Sequence, residues 1–263
     1  MDSRRAPRGG SLSDNASIQA ARAALATGGR LRTAINLGNP VLAKQDEATG
    51  ELGGITVDLA REVAGRLGLP LELLPFPGAG QVVEAVKAGA WDLAFLAVDP
   101  ARAEEIDFTA PYVVIEGGYL VREDSPLRSI DEVDSAGVRV ATATGSAYDL
   151  FLSRNLKSAT ILRAPGSLVV VDRFLAQGLE VAAGVRQHLV ADARRLPGLR
   201  VLPGAFMSIR QALALPKGRG PALGFVAAFI EELKASGYIA AALQRHGAEG
   251  AAVAPPGSAA TGA

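Results

Sequence analysis

The sequence predicts an α/β protein with mostly parallel strands, and three observations carry that expectation. From Leu31 onward, short apolar runs alternate with runs whose apolar residues recur every three to four positions, which is strand and helix taken in turn. The run Trp91–Val98, WDLAFLAV, has the length and near-continuous apolar content of a strand covered on both faces. Helix punctuation falls where the pattern needs it, with Pro221 opening and Gly237 closing the longest late run. At 263 residues and 49% hydrophobic content the chain can bury the core of one or two domains.

In order, residues 1–14 read as a disordered leader, and Asn15 to Ala26 as a short alanine-rich helix ended by Gly28-Gly29. Strands are expected over 31–37, 71–75, 92–98, 118–122, 138–142, 159–163, 180–184 and 199–202. Helices are expected over 57–67, 80–88, 100–104, 146–154, 168–176, 187–195, 221–235 and 237–246. Val57, Ala60, Val63 and Leu67 share one face of the first, and Val226, Phe229, Ile230 and Leu233 line the late one. The end of the chain from Ala251, residues 251–263, is small and Pro/Gly-rich and reads as a flexible tail.

Composition excludes several functions. The 27 basic and 27 acidic residues cancel, so nothing argues for nucleic acid, which needs a basic stripe. Without cysteine there is no disulfide, zinc-thiolate site or catalytic thiol. His188 and His246 are too far apart and too unaccompanied for a metal site and read as exposed helix residues, and Trp91 reads as packing. No metal and no cofactor are expected. Neither a G-x-S-x-G elbow nor a G-K-[ST] phosphate loop occurs. No run of about 18 apolar residues is present. The start, MDSRRAPRGGSLSDN, has arginines but lacks the apolar segment of a secretory or twin-arginine signal.

The chemistry concentrates in residues 88–112. Asp99 caps a short helix with Pro100 at its first position, and Arg102 falls in that first turn. A cation there opposes the helix dipole by ~0.3–1 kcal/mol, so an anion is expected nearby: either Asp99 or Glu105, or the carboxylate of a ligand.

Gly89, Asp92, Pro100, Arg102, Asp107-Phe108-Thr109 and Pro111-Tyr112 together resemble the signature region of family 3 bacterial solute-binding proteins, the polar amino-acid receptors of ABC importers. Leu31–Ile35 is similar to their opening strand, Gly50–Ala60 to their G-x-l-x-G-f-x-v-D-l-a motif, and Val138–Tyr148 to the opening of their second lobe, so the resemblance covers roughly 31 to 247. It implies a two-lobed periplasmic-binding-protein-like (type II) fold with a hinge of two crossovers, near Ile115–Tyr119 and Phe206–Gln211. Gly117 and Gly118 fit that hinge or a simple bulge. After the leader and short helix of 1–30, the implied division is 31–116 plus 208–250 for lobe 1 and 117–207 for lobe 2.

Ligands of open α/β sheets bind outside the carboxyl ends of strands, often at helix N-termini. The Arg102 turn is one such place, and Gly145-Ser146, before the helix at 146–154, is the other. The resemblance implies that they share a ligand carboxylate, although Ser146 also fits an ordinary N-cap. Asn36 and Asn39 suit either the same cleft or turn chemistry before Pro40. The sequence departs from the family where aromatic platforms are expected, with Val41 or Leu42 at one and Gly78-Ala79-Gly80 at the other, and Ala97 replaces a hydroxyl residue. The acid that binds the ligand's α-amine aligns with Val185-Arg186. Arg186 in the cleft favours a dicarboxylate or an acid without an α-amine, unless its side chain turns outward.

The expected function is a monomeric solute-binding protein, not an enzyme, that closes on a small carboxylate-containing ligand for delivery to an ABC importer permease. Its alternatives are a cyclohexadienyl-dehydratase-like enzyme on the same scaffold and a free-standing ligand sensor. The dehydratase chemistry needs a positioned general acid, where this sequence has valine or arginine. The resemblance implies a periplasmic location, while the missing signal segment leaves a cytoplasmic protein or a truncated start open.

Overall fold

In a computed structural model, which describes residues 12–257, helix α1 (Leu12–Leu25) precedes β1 (Leu31–Asn36), the small hairpin of β2 (Lys44–Gln45) and β3 (Leu52–Gly53), and α2 (Ile55–Leu67). There follow β4 (Leu71–Phe76), α3 (Ala79–Glu84), β5 (Leu93–Ala97), β6 (Ile106–Phe108), β7 (Val113–Arg122) and β8 (Arg139–Ala143). Next come α4 (Ala147–Asn155), β9 (Thr160–Ala164), α5 (Val170–Ala176), β10 (Val181–Val185) and α6 (Arg186–Arg195). The last elements are β11 (Leu199–Val201), β12 (Met207–Pro216), α7 (Gly220–Ala235), α8 (Tyr238–Arg245) and β13 (Ala252–Val253).

The main sheet runs β4-β1-β5-β12-β7-β10-β8-β9. Its two ends are parallel, β4-β1-β5 in one half and β10-β8-β9 in the other, and a helix follows each of these strands except β5, which leads through a 3-10 turn into β6. The long antiparallel strands β7 and β12 join the halves. β12 pairs with β5 through Gln211–Ala214 and with Val113–Gly117 of β7, and β7 then passes to β10 through Gly117–Leu120.

Period-two alternation builds the core of the first half. Leu31 and Ile35 of β1 with Leu93, Phe95 and Ala97 of β5 face the large core under α2 and α7. Ala34, Ala94 and Leu96 face a smaller core with Val82, Val86 and Trp91. Trp91 is fully buried and donates its indole N–H to the Val82 carbonyl at 2.8 Å. Gly68, at φ 61°, stops α2 in the left-handed conformation.

One buried carboxylate ties these elements together. Asp92, fully buried, accepts from Thr27 Oγ1 at 2.6 Å, from Arg32 Nε and Nη2 at 2.9 and 3.0 Å, and from Arg219 Nη1 at 2.9 Å. It thereby fixes β1, the start of β5 and the entry to α7. Burial works to raise its pKa, but the hydrogen bonds from Arg32 and Thr27 and the charge of Arg219 outweigh it and hold the carboxyl below the usual range.

Several sequence expectations are corrected. The helix expected from Asn15 already begins at Leu12, inside the expected leader; residues 1–11 lie outside the described residues. The helix expected over 100–104 is a 3-10 turn, Arg102–Glu104, and the one over 80–88 ends at Glu84. β7 starts at Val113 rather than 118, and β12 has no counterpart among the expected strands. The expected loose tail adds β13 to β7, and the buried Lys234 ammonium donates to the carbonyls of Pro111 at 3.1 Å and Pro255 at 3.0 Å.

Asp92→Ala leaves two arginines facing an empty carboxylate site and is expected to cost about 3–5 kcal/mol of unfolding free energy in urea at neutral pH. Because the folded pKa is depressed, this stability is complete above the unfolded value of about 3.9 and is lost as pH falls through the folded pKa. The difference between variant and wild type therefore narrows in acid, and a pH-independent difference would rule out the ionic account.

Candidate functional site

The carboxyl ends of β1 and β5 and the amino end of α4 converge where the two halves of the sheet meet. After β1, Asn36 Oδ1 accepts from the Gly38 amide at 3.0 Å, which folds the loop so that Asn39 is buried at 6% exposure. The Asn39 Oδ1 atom is buried and without a hydrogen-bond partner. After β5, Asp99 accepts from the Ala101 amide at 2.9 Å and starts the turn that carries Arg102.

Arg102 is 2% exposed. Its Nη1 donates to the Ala97 carbonyl and its Nη2 to the Gly145 carbonyl in the opposite half, each at 2.9 Å, while Nε is buried without a partner. Neither acid proposed from sequence pairs with it. Asp99 accepts from Arg154 Nη2 of α4 at 2.8 Å, a second contact between the halves, and Glu105 sits 3.5 Å from Lys87. Burial pulls the guanidinium down to about 10, opposed by the charge of Asp99. Arg102 therefore remains a cation at neutral pH, solvated by two peptide carbonyls rather than by a carboxylate.

On the opposite side, Gly145 adopts φ 68° and donates its amide to Asp149 Oδ2 at 2.9 Å. Ser146 caps α4, accepting from the Asp149 amide at 3.0 Å, and its own amide donates to Ala143. The N-cap and a place at the cleft are thus compatible, since the hydroxyl retains its proton for donation. The halves meet backbone to backbone here. A Cβ at Gly80 would lie 3.0 Å from the Thr144 carbonyl oxygen, and one at Gly145 would lie 2.8 Å from Gly80 Cα. Gly80, in the run Gly78-Ala79-Gly80, thus gives the close approach its room.

Asn36, Asn39, Arg102 and Ser146 line one cavity of about 30 Å³, with Gly145 reaching it through its carbonyl. Arg102 is the one formally charged side chain among the lining residues. Val185, where the resemblance aligns an amine-binding acid, lines it too, as do Tyr148, Ser167 and Gln211, which the sequence reading does not single out. Tyr148 donates its hydroxyl to Ser167 Oγ at 2.8 Å, and burial raises its pKa against the lowering influence of Ser167 and Ser146, so the phenol stays protonated. Ser167 follows Pro165-Gly166 at the end of β9, a signal like that of Gly145-Ser146. Gln211 escaped notice because its strand did.

Arg186 is not brought to this cavity. Its Nη1 donates to the carbonyls of Leu202 at 2.9 Å and Gly204 at 2.6 Å, and its aliphatic part covers Gly118. The expectation of a second cleft cation is therefore corrected, as is that of an exposed His188. That ring is half-buried, and burial lowers its pKa against the raising effect of Asp192, leaving it uncharged at neutral pH. Gly117 and Gly118 lie inside β7, and a Cβ at Gly117 would meet Met207 Cγ at 2.7 Å.

Residues 31–249 match the bacterial extracellular solute-binding proteins, family 3. The chain belongs to that family. It is 26% identical over 150 residues to the amino-acid-binding protein AabA of Dichelobacter nodosus, a match spanning 56% of this chain and 58% of that protein. Among solved structures it is similar to a mutant of ArgBP from T. maritima, with a TM-score of 0.75 and 21% identity over 87% of this chain and 100% of that one. The ancestral amino acid-binding protein AncCDT-1, a precursor of cyclohexadienyl dehydratase, superposes with a TM-score of 0.70 at 20% identity over 83% of this chain and 95% of that one. These likenesses establish the two-lobed type II fold of periplasmic binding proteins.

Gly80→Ala separates closure from stability. Alanine is the better helix former by roughly 1 kcal/mol, so the melting temperature should hold or rise, while the added methyl group wedges the lobes apart. Small-angle X-ray scattering should read a larger radius of gyration, and an unchanged radius would show that this contact does not limit closure.

Proposed function

We propose that this member of the family closes its two lobes on a small carboxylate-bearing solute and hands it to an ABC importer, performing no chemistry of its own. In this reading residues 31–116 with 208–250 make one lobe, 117–207 make the other, and β7 and β12 are the two crossovers. The protein acts as a monomer outside the cytoplasmic membrane, as its family does. No helix among the described residues is long and apolar enough to cross a membrane.

Arg102 is the observation that carries the reading. A buried guanidinium without a counter-ion is costly, and this one lies on the seam between the lobes with an unused Nε donor. A carboxylate entering there would gain a charge-assisted fork that two peptide carbonyls cannot match. Ser146 offers a hydroxyl from the other lobe, and Asn36 and Asn39 border the same space, so binding and closure are one event. The general acid that a dehydratase requires has no candidate carboxyl among the lining residues.

The test starts from a thermal-shift screen of carboxylates, in which a ligand at 100 times its Kd adds about 2.7 kcal/mol of stability. Arg102→Ala is expected to weaken the ligand found by roughly 2–5 kcal/mol in calorimetry, and Arg102→Lys to recover only part of that, lacking the planar fork. The unliganded Arg102→Ala protein should melt at or above the wild-type temperature, because a buried, uncompensated charge has gone. Equal affinity in wild type and Arg102→Ala would overturn the reading.

A further inference from the structure

The cavity at Arg102 shares three of its walls with a neighbouring space. Tyr148, Ser167 and Val185 are also walls of a second chamber, of about 200 Å³, between β10, α5 and α6 on one side and Pro40 of the loop after β1 on the other. Val170, Val171 and Leu189 complete its apolar lining, and all three are buried. At its rim the short turn Ser167–Val169 carries Leu168, 62% exposed, with Val169 at 41% beside it, two consecutive large apolar side chains left in water. The family's pattern puts an acid near Val185, but here a buried valine separates cavity from chamber and the neighbouring Arg186 is bound to carbonyls elsewhere. Three titratable groups border the chamber, and the Tyr148 phenol stays protonated. His188 is uncharged, and Asp192 is already paired with Arg195 at 2.8 Å.

We propose that the ligand is a monocarboxylate with an apolar tail, its carboxylate on Arg102 and its tail in the chamber behind Val185. The proposal rests on the carboxylate reading above and adds the class of side chain. An apolar chamber stabilises a hydrocarbon tail in proportion to the area removed from water. It rejects a second charge, which would be buried there without a partner. The exposed Leu168 closes over the tail once a ligand is seated, which accounts for an apolar residue at that rim.

The experiment is calorimetry on the full chain with leucine, phenylalanine and their 2-oxo counterparts against arginine, lysine, glutamate and succinate. The apolar acids are expected to bind and the charged ones to give no heat at the same concentrations. Val185→Asp should weaken the apolar acids at least tenfold. Because Val185 is buried, the rim variant Leu168→Ser is the control that leaves the fold untouched, and it should weaken phenylalanine several-fold relative to alanine. Binding of arginine, lysine or a dicarboxylate that is lost in Arg102→Ala overturns the apolar tail and leaves the carboxylate reading standing. Binding of apolar acids that ignores both Val185→Asp and Leu168→Ser overturns the chamber. Ligands indifferent to Arg102→Ala, or no carboxylate bound at all, bring down both.

Discussion

The first half of the molecule is held in register by the carboxylate of Asp92. It lies at the opposite end of β5 from the cleft, yet its bonds to Arg32 and Arg219 set the register of β1 against β5 and anchor the entry to α7. With those strands fixed, their carboxyl ends at Asn36 and Ala97 come level, and the short turn after Ala97 can deliver a guanidinium to the gap between lobes. The pair is worth having in the interior because its geometry is complete. Asp92 receives donors at both oxygens, so little of its desolvation is left uncompensated.

Arg102 is the opposite case. It is as buried as Asp92, but its solvation is provisional: two carbonyl dipoles stand where a charge belongs, and one of them is on the other lobe. Such an arrangement sacrifices stability at a functional position, a common pattern where a site must exchange partners. The contact with Gly145 joins the halves directly, and the buried carboxylate of Asp99 adds a second link to the partly exposed guanidinium of Arg154. In the function proposed above, a ligand would have only to outcompete a peptide carbonyl in order to hold the lobes together.

Much of this was legible in the sequence, and the exceptions have physical causes. Apolar alternation placed β1, β5 and their helices because both faces of those strands are buried, so the hydrophobic signal is strong. β12 was invisible because Ser208, Arg210 and Gln211 interrupt its apolar residues where it crosses between lobes and is only partly covered. The segment after Ala251 looked loose because small residues and prolines have low intrinsic order, whereas its order comes from Lys234, more than fifteen residues upstream. Arg102 stood out because a cation in a first turn opposes the local dipole. Arg186 also looked like a cleft residue, but a long flexible side chain at a helix start has several carbonyls within reach, and position along the chain does not choose among them.

The pairing of Ala252 and Val253 with Val113 and Val114 has a mechanical meaning. Those two valines belong to the strand that runs from one lobe into the other, and the extra ladder stiffens it just before Gly117. In the proposed division into lobes, bending would fall to the residues between Val114 and Leu120, most of which carry a ladder on one side only, as a splint moves a flexing rod's bend beyond its end. For a protein that closes as proposed, the angle of opening would depend as much on where the splint ends as on what the jaws hold.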